Sequence, residues 1–171
     1  MRARLARMTP AAREDASESI RTSIPSLPRW QEARTVAAFA ALPGEPDLRP
    51  LSWAADRAVL LPRVEGDGLV FHEVCDPAQL RPGAFGVREP DPETCPAADP
   101  AAADIIFVPG LAFSADGARL GRGGGFYDRL LAALPPRVLR VGVCFAGQLA
   151  GDIPAEPHDE RVDIVLAPAP V

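Results

Sequence analysis

Short, largely apolar runs recur along this chain, and they constrain its fold more than any other feature. They are "TVAAFAAL" (residues 35–42), "AVLLP" (58–62), "LVFHEV" (69–74), "DIIFVPG" (104–110), "RVLRVGVCF" (137–145) and "DIVLA" (163–167). Such runs are too short for core-spanning helices and read as strands, several of them bounded by proline or glycine. A strand without polar alternation is buried on both faces, which implies a parallel sheet covered by helices. The intervening segments read as those helices. Thr9 before Pro10 is an N-cap followed by a first-turn proline. Ala16, Ile20, Ile24 and Leu27 then follow at helical spacing until Pro25 and Pro28 interrupt it. Pro46 opens a second pattern through Leu48, Leu51 and Ala55, and a third covers residues 126–134. The expected fold is α/β: one domain over residues 1–171, with a three-layer α/β/α arrangement around a mostly parallel central sheet. The alanine- and proline-rich residues 91–103 read as a loop.

Composition excludes several functions. A net charge of −5 argues against a broad nucleic-acid surface. No apolar run approaches the ~18 residues of a membrane span, and the basic start lacks a signal-peptide core. Three cysteines (Cys75, Cys95, Cys144) without C-x-x-C spacing fit a reducing cytoplasm rather than a disulfide or zinc framework. All 18 basic residues are arginine. Without lysine, a Walker-type phosphate loop and Schiff-base chemistry are both excluded.

The densest chemistry lies in "RLGRGGGFYD", residues 119–128. Gly121, Gly123, Gly124 and Gly125 free the backbone for unusual φ or for close approach of a ligand. The run is not the dinucleotide fingerprint, because the third glycine of G-x-G-x-x-G would fall on Phe126. Arg119 and Arg122 flank the glycines and suit phosphate oxygens. Asp128 falls in the first turn of the next helix, able either to hold a divalent ion against a polyphosphate or simply to complement the helix dipole. Both the glycine loop and Glu45 follow apolar strands, and ligands of parallel sheets bind beyond the carboxyl ends of strands.

"DIIFVPGLAFSADGARLGRGGGFYDRLL" (residues 104–131) resembles the 5-formyltetrahydrofolate cyclo-ligase family, the 5,10-methenyltetrahydrofolate synthetases. Supporting matches are "PGEPDL" around Glu45, "FGVREP" (85–90) and "EPHDERVD" (156–163). The resemblance runs from about Thr9 to the C-terminus. It implies a single cyclo-ligase-like domain in which ATP phosphorylates the formyl oxygen of 5-formyltetrahydrofolate. N10 then attacks, phosphate leaves, and 5,10-methenyltetrahydrofolate forms. Positioning and charge neutralisation carry most of such a phosphoryl transfer.

The residues implied are an ATP site at Arg119, Leu120, Gly121, Arg122, Gly123, Gly124, Gly125, Phe126 and Tyr127, with Arg122 and Tyr127 catalytic. Mg²⁺ would be held by Asp128 and Asp159. Glu45 would hydrogen-bond the pterin, and Phe85 would line the folate slot. Phe39 and Phe113 read equally as slot walls or core, His72 as a pairing or packing residue, and His158 as a surface or structural residue. The implied partner is a reduced folate, including polyglutamylated forms, acted on by a cytoplasmic monomer. One departure stands out: members open with a Lys-x-x-x-Arg-like segment whose basic residues contact ATP. Here residues 1–8 read as the remnant of a truncated N-terminal helix, with Arg2 in place of the arginine and no counterpart to the lysine. A folate- or nucleotide-binding relative without turnover therefore stays open, as does a sugar-phosphate isomerase.

Overall fold

The computed structural model describes residues 5, 7–49, 56–154, 156 and 159–168. At its centre runs β7 (Ile105–Pro109), parallel to β1 (Thr35–Ala37) on one side and to β10 (Leu139–Val143) on the other. On the far side of β10 lies β12 (Ile164–Leu166), and beside β1 lies β2 (Ala58–Glu65), both again parallel. Beyond β2 the sheet turns antiparallel, through β3 (Gly68–Glu73) and then β6 (Ala97–Ala98). The result is a seven-stranded, mostly parallel sheet in the order β12-β10-β7-β1-β2-β3-β6. The antiparallel edge has a local cause. Glu65 pairs with Gly68, so the connection is only two residues, and Gly66 supplies the left-handed φ of 59° that so tight a turn needs.

Alternation along the central strands divides the core in two. Val36, Val59, Leu61, Ile105, Phe107, Val141 and Val143 join one cluster with Ile20 and Ile24. Ala37, Leu60, Ile106 and Val108 join another with Leu131 and Leu134. Ile20 lies on α1 (Pro10–Ser23), which begins where the sequence marks it: Thr9 Oγ1 accepts from Ala12 N at 3.2 Å. A 3-10 turn over Ile24–Ser26 then takes up Pro25. Leu131 lies on α2 (Phe126–Ala133), within one residue of the expected helix.

Three expectations change. The run at 35–42 is a strand only over Thr35–Ala37; after Ala38 N donates to Leu60 O at 2.9 Å, the chain leaves the sheet. Residues 91–103 are not merely a loop. They carry β6 and a 3-10 turn at Pro100–Ala102 capped by Asp99, elements too short to show periodicity. The helix expected from Pro46 falls mostly on residues 50–55, outside the described residues, as do Arg2 and His158. The structure also adds a hairpin, β4 (Leu80–Pro82) with β5 (Arg88–Pro90), and a small sheet of β8 (Ala112–Ser114), β9 (Arg119–Leu120) and β11 (Leu149–Ala150). His72 packs as expected: it is buried, with Nδ1 2.9 Å from Cys95 O.

Two aspartates set where the parallel strands start. Asp104 Oδ2 accepts from Arg34 N at 2.8 Å and Thr35 N at 3.0 Å, tying the entry of β7 to that of β1. Asp163 Oδ2 likewise accepts from Arg140 N at 2.8 Å at the entry of β12 and β10. Hydrogen bonds to a charged acceptor contribute more than neutral ones. Asp104→Ala is expected to cost about 2–3 kcal/mol, read as a Tm lowered by roughly 4–12 °C. An unchanged unfolding curve would show that the backbone ladder alone sets the register.

Candidate active site

The "AFSADGARL" motif is a hairpin. Ser114 N donates to Ala118 O at 3.0 Å, and Gly117 takes a φ of 85° at the tip. A Cβ at Gly117 would lie 2.1 Å from Val162 O, so only glycine lets the hairpin lie against the segment before β12. The returning strand places Arg119 with its side chain only 4% exposed, and its Nη2 pairs with Asp128 Oδ1. Asp128 sits in the first turn of α2, which starts from Gly125 in a left-handed conformation (φ 64°). The glycine run is thus divided in purpose. Gly123 and Gly125 supply positive φ, whereas Gly121 and Gly124 make room for the side chains of Arg119 and Phe126.

These elements border a cavity of about 450 Å³ at the carboxyl ends of β1 and β7. The chain leaving β1 supplies Phe39, Ala40, Leu42 and Glu45, and the end of β7 supplies Pro109 and Gly110. Pro62, Val64 and Leu69 of the β2–β3 hairpin form an apolar wall. The rest of the lining comes from the arginine–glycine loop and the start of α2, as Arg119, Gly121, Arg122, Gly124, Gly125, Phe126, Tyr127 and Asp128. Phe85 rims the cavity from the tip of the β4–β5 hairpin, 68% exposed and with a left-handed φ of 56°. A large aromatic held in that conformation and open to solvent suits a ring-binding surface.

The strongest electrostatic feature joins two distant loops. Glu45 is 3% exposed and Arg122 is 36% exposed; Arg122 Nε donates to Glu45 Oε1 at 2.9 Å. The other carboxylate oxygen, Oε2, accepts from Leu42 N at 2.9 Å. Burial nonetheless raises the Glu45 pKa above 4.5, against the lowering effects of Leu42 N–H and Arg122. The Tyr127 phenol is also pushed far up, by burial first and by the Glu45 carboxylate second. It stays protonated at physiological pH and is therefore a hydrogen-bond donor, not a base.

Most residues singled out in the sequence meet here. Leu120 does not: it is 44% exposed and, like Gly123, does not line the cavity. Asp159 is also absent from the lining; its Oδ2 accepts from Glu156 N at 2.7 Å. Phe39 is a wall, whereas Phe113 is core, its ring seated where Gly110 and Gly142 lack a Cβ. Sequence reasoning missed Glu89, a buried carboxylate in the lining whose Oε1 accepts from Val64 N at 3.3 Å. Its one signal was its place inside "FGVREP". Gln148 was missed too; it is fully buried and donates to Gly110 O (2.8 Å) and Leu111 O (3.2 Å), fixing the turn after β7. Among the described residues no cluster of three or more His, Cys, Asp or Glu has metal-binding geometry. A divalent ion at Asp128 would therefore draw most of its oxygen ligands from bound phosphates, which is how Mg²⁺ is usually held beside nucleotides.

The raised Glu45 pKa carries a stability consequence with a definite sign. Between the ordinary value of 4.5 and the raised folded value, the unfolded chain has lost the proton and the folded chain keeps it. Stability from this residue therefore falls as pH rises through that window. Glu45→Gln should gain stability relative to wild type across the same window and hold the gain above it. Denaturant midpoints at several pH values test this; a difference that shrinks with rising pH would contradict it.

Known proteins place these features in a family. The model of the 5-formyltetrahydrofolate cyclo-ligase family matches residues 1–168. The 5-formyltetrahydrofolate cyclo-ligase of Mycolicibacterium smegmatis is 37% identical over 166 residues, covering 92% of this chain and 84% of the relative. That of Escherichia coli is 29% identical over 178 residues, covering 100% of this chain and 98% of the relative. The solved structure of Aquifex aeolicus 5,10-methenyltetrahydrofolate synthetase superposes with a TM-score of 0.86 at 34% identity, covering 98% of this chain and 86% of that one. The synthetase of Mycoplasma pneumoniae, at 19% identity and a TM-score of 0.75, shares the fold. The chain belongs to the 5-formyltetrahydrofolate cyclo-ligase family.

Proposed function

We propose that this protein converts 5-formyltetrahydrofolate to 5,10-methenyltetrahydrofolate, consuming ATP and releasing ADP and phosphate. The observation that carries this reading is one cavity with two chemistries. Apolar walls and the Glu45 carboxylate face one class of ligand, and the arginine–glycine loop with Asp128 faces another. A pterin presents N–H donors on a flat ring, which a carboxylate between apolar walls would hold. A polyphosphate presents only acceptors, suited to Arg119, Arg122 and the backbone N–H groups of residues 121–125. Transfer of the γ-phosphoryl group to the formyl oxygen turns that oxygen into a leaving group; attack by N10 on the formyl carbon then expels phosphate. Mg²⁺ would supply charge neutralisation between phosphate oxygens. Of the two carboxylates proposed to hold it, Asp128 faces the cavity, with Oδ1 engaged by Arg119; Asp159 is the second. Tyr127, as a protonated phenol, can donate to a developing negative charge in the buried site. We read the architecture as three-layered, with α1 and α2 on opposite faces of the sheet, and the protein as a soluble monomer.

The turnover assay combines protein, Mg-ATP and 5-formyltetrahydrofolate and follows the methenyl product in the near-ultraviolet together with ADP. ADP and methenyl product forming in equal amounts is the expected result. A binding-only relative would hold the folate without either product.

Two variants probe the loop. Asp128→Asn should raise the Mg²⁺ concentration giving half-maximal rate, since an amide is a poorer ligand for a hard cation. It should also lower stability, because Arg119 is buried and would lose its charged partner. An unchanged Mg²⁺ dependence would confine Asp128 to orienting Arg119. Gly123→Val forces a β-branched residue to a φ of 93° in open surroundings, so it should disturb the loop and nucleotide binding far more than global folding. Equal nucleotide affinity would show that the loop tolerates the change.

A further inference from the structure

Arg122 stands among residues suited to phosphate, yet its observed partner is Glu45, the carboxylate suited to the pterin. The two come from loops 77 residues apart and meet at 2.9 Å. Arg122 of the arginine–glycine loop is thus paired with the carboxylate suited to the ring. Resting on the reaction proposed above, we infer that the Glu45–Arg122 pair makes nucleotide binding conditional on folate: Arg122 is released to the phosphates only when a ring donor engages Glu45.

Three observations support this coupling. First, Glu45 can change partners without leaving its position, because Oε2 is anchored by Leu42 N while Oε1 takes Arg122. A pterin N–H reaching Oε1 would compete with Arg122 Nε for the same oxygen. Second, Arg122 has somewhere to go. It is only partly buried, its neighbour Gly123 has nothing within 4 Å of a notional Cβ, and Gly123 and Gly125 hold positive φ. Among the described residues the Nη atoms of Arg122 have no hydrogen-bond partner, so the guanidinium is fixed through Nε alone. Arg119, by contrast, is held by Asp128 and nearly fully buried, so its position is fixed. Third, burial already disfavours the Glu45 charge, so the carboxylate needs a donor at all times and exchanges one for another rather than standing unpaired.

The consequence is directional. Before folate arrives, an approaching polyphosphate meets Glu45 as well as Arg122, and the carboxylate opposes it. Once a ring donor shares the Glu45 charge, Arg122 is free to stabilise the phosphates, so each ligand strengthens the other, as linkage requires. The pair would thereby keep the phosphoryl group from being engaged before its acceptor is in place.

The test is calorimetric, with a non-hydrolysable ATP analogue (AMP-PNP) and Mg²⁺ titrated into the full chain with and without saturating 5-formyltetrahydrofolate. Wild type should bind the analogue about ten-fold tighter in the presence of folate, within the usual range of coupling between sites. Free Glu45→Gln should bind it about as tightly as folate-loaded wild type, because an amide does not neutralise Arg122. Arg122→Gln should lose the coupling, so that folate no longer tightens nucleotide binding. A simple phosphate-binding arginine would leave the folate-dependent gain in place in Arg122→Gln, so this arm decides the coupling whether or not Glu45→Gln folds. Both ligands binding wild type independently, or folate still tightening nucleotide binding about ten-fold in Arg122→Gln, would overturn the coupling and leave the proposed reaction standing. A wild-type protein that bound neither ligand would remove the proposed reaction and this inference together.

Discussion

Everything in this molecule is arranged around β7, a strand with no free edge and no free face. Ile105, Ile106, Phe107 and Val108 are all at or below 1% exposure. Their side chains alternate between two cores, while the backbone pairs in parallel with β1 and β10. Such a strand tolerates no polar residue until its end, where a buried polar group would go unpaired. Asp104 precedes it and is used there, accepting two backbone N–H groups from the entry of β1. Pro109, its last residue, and Gly110 after it open directly on the cavity. The site lies where it does because this is the first point at which the chain can stop being buried on all sides.

From that point the sequence builds the site by short-range devices. Gly110 and Gly142 leave space for the Phe113 ring, which anchors the β8–β9 hairpin against the sheet. Gln148 ties the turn after β7 with its side-chain amide, and Gly117 lets the hairpin tip approach Val162. Together they set the direction of Arg119. The glycine loop is therefore not itself the rigid part of the site. It is the compliant connection between a firmly placed arginine and a firmly placed helix.

What was legible in the sequence follows from this division. The parallel core strands were readable because double burial removes the polar alternation that would otherwise blur a strand. The N-cap at Thr9 and the extent of α2 were readable from local chemistry. Strands of two or three residues, such as β6, β9 and β11, carry no period and were not. The apolar run from Thr35 outlasts its strand because Phe39, Ala40 and Leu42 are as apolar as a strand but face a cavity instead of a sheet neighbour. For the site, residue identity was readable and partnership was not. Arg122 and Glu45 each suit a ligand, yet nothing local in either segment says that they meet. Glu89 and Gln148 stayed hidden for the same reason: their importance comes from burial, which a single sequence does not state for an isolated polar residue.

The Glu45 environment also shows why a site of this kind depends on so large a sheet. A carboxylate whose charge is disfavoured by burial detracts from folding unless its partners compensate. Leu42 N–H and Arg122 compensate only in part, since burial remains the largest influence on its pKa. The exposed Phe85 in a left-handed conformation and the four-glycine loop add further local costs. None of these would persist in a marginal domain. They persist here because they sit at the ends of strands whose interiors are fully apolar and clipped at their starts by Asp104 and Asp163. The two ends of the parallel strands thus differ. Carboxylates at the entry accept backbone donors and stabilise the sheet, whereas Glu45, beyond the exit, is held against burial by one backbone donor and one guanidinium from a distant loop.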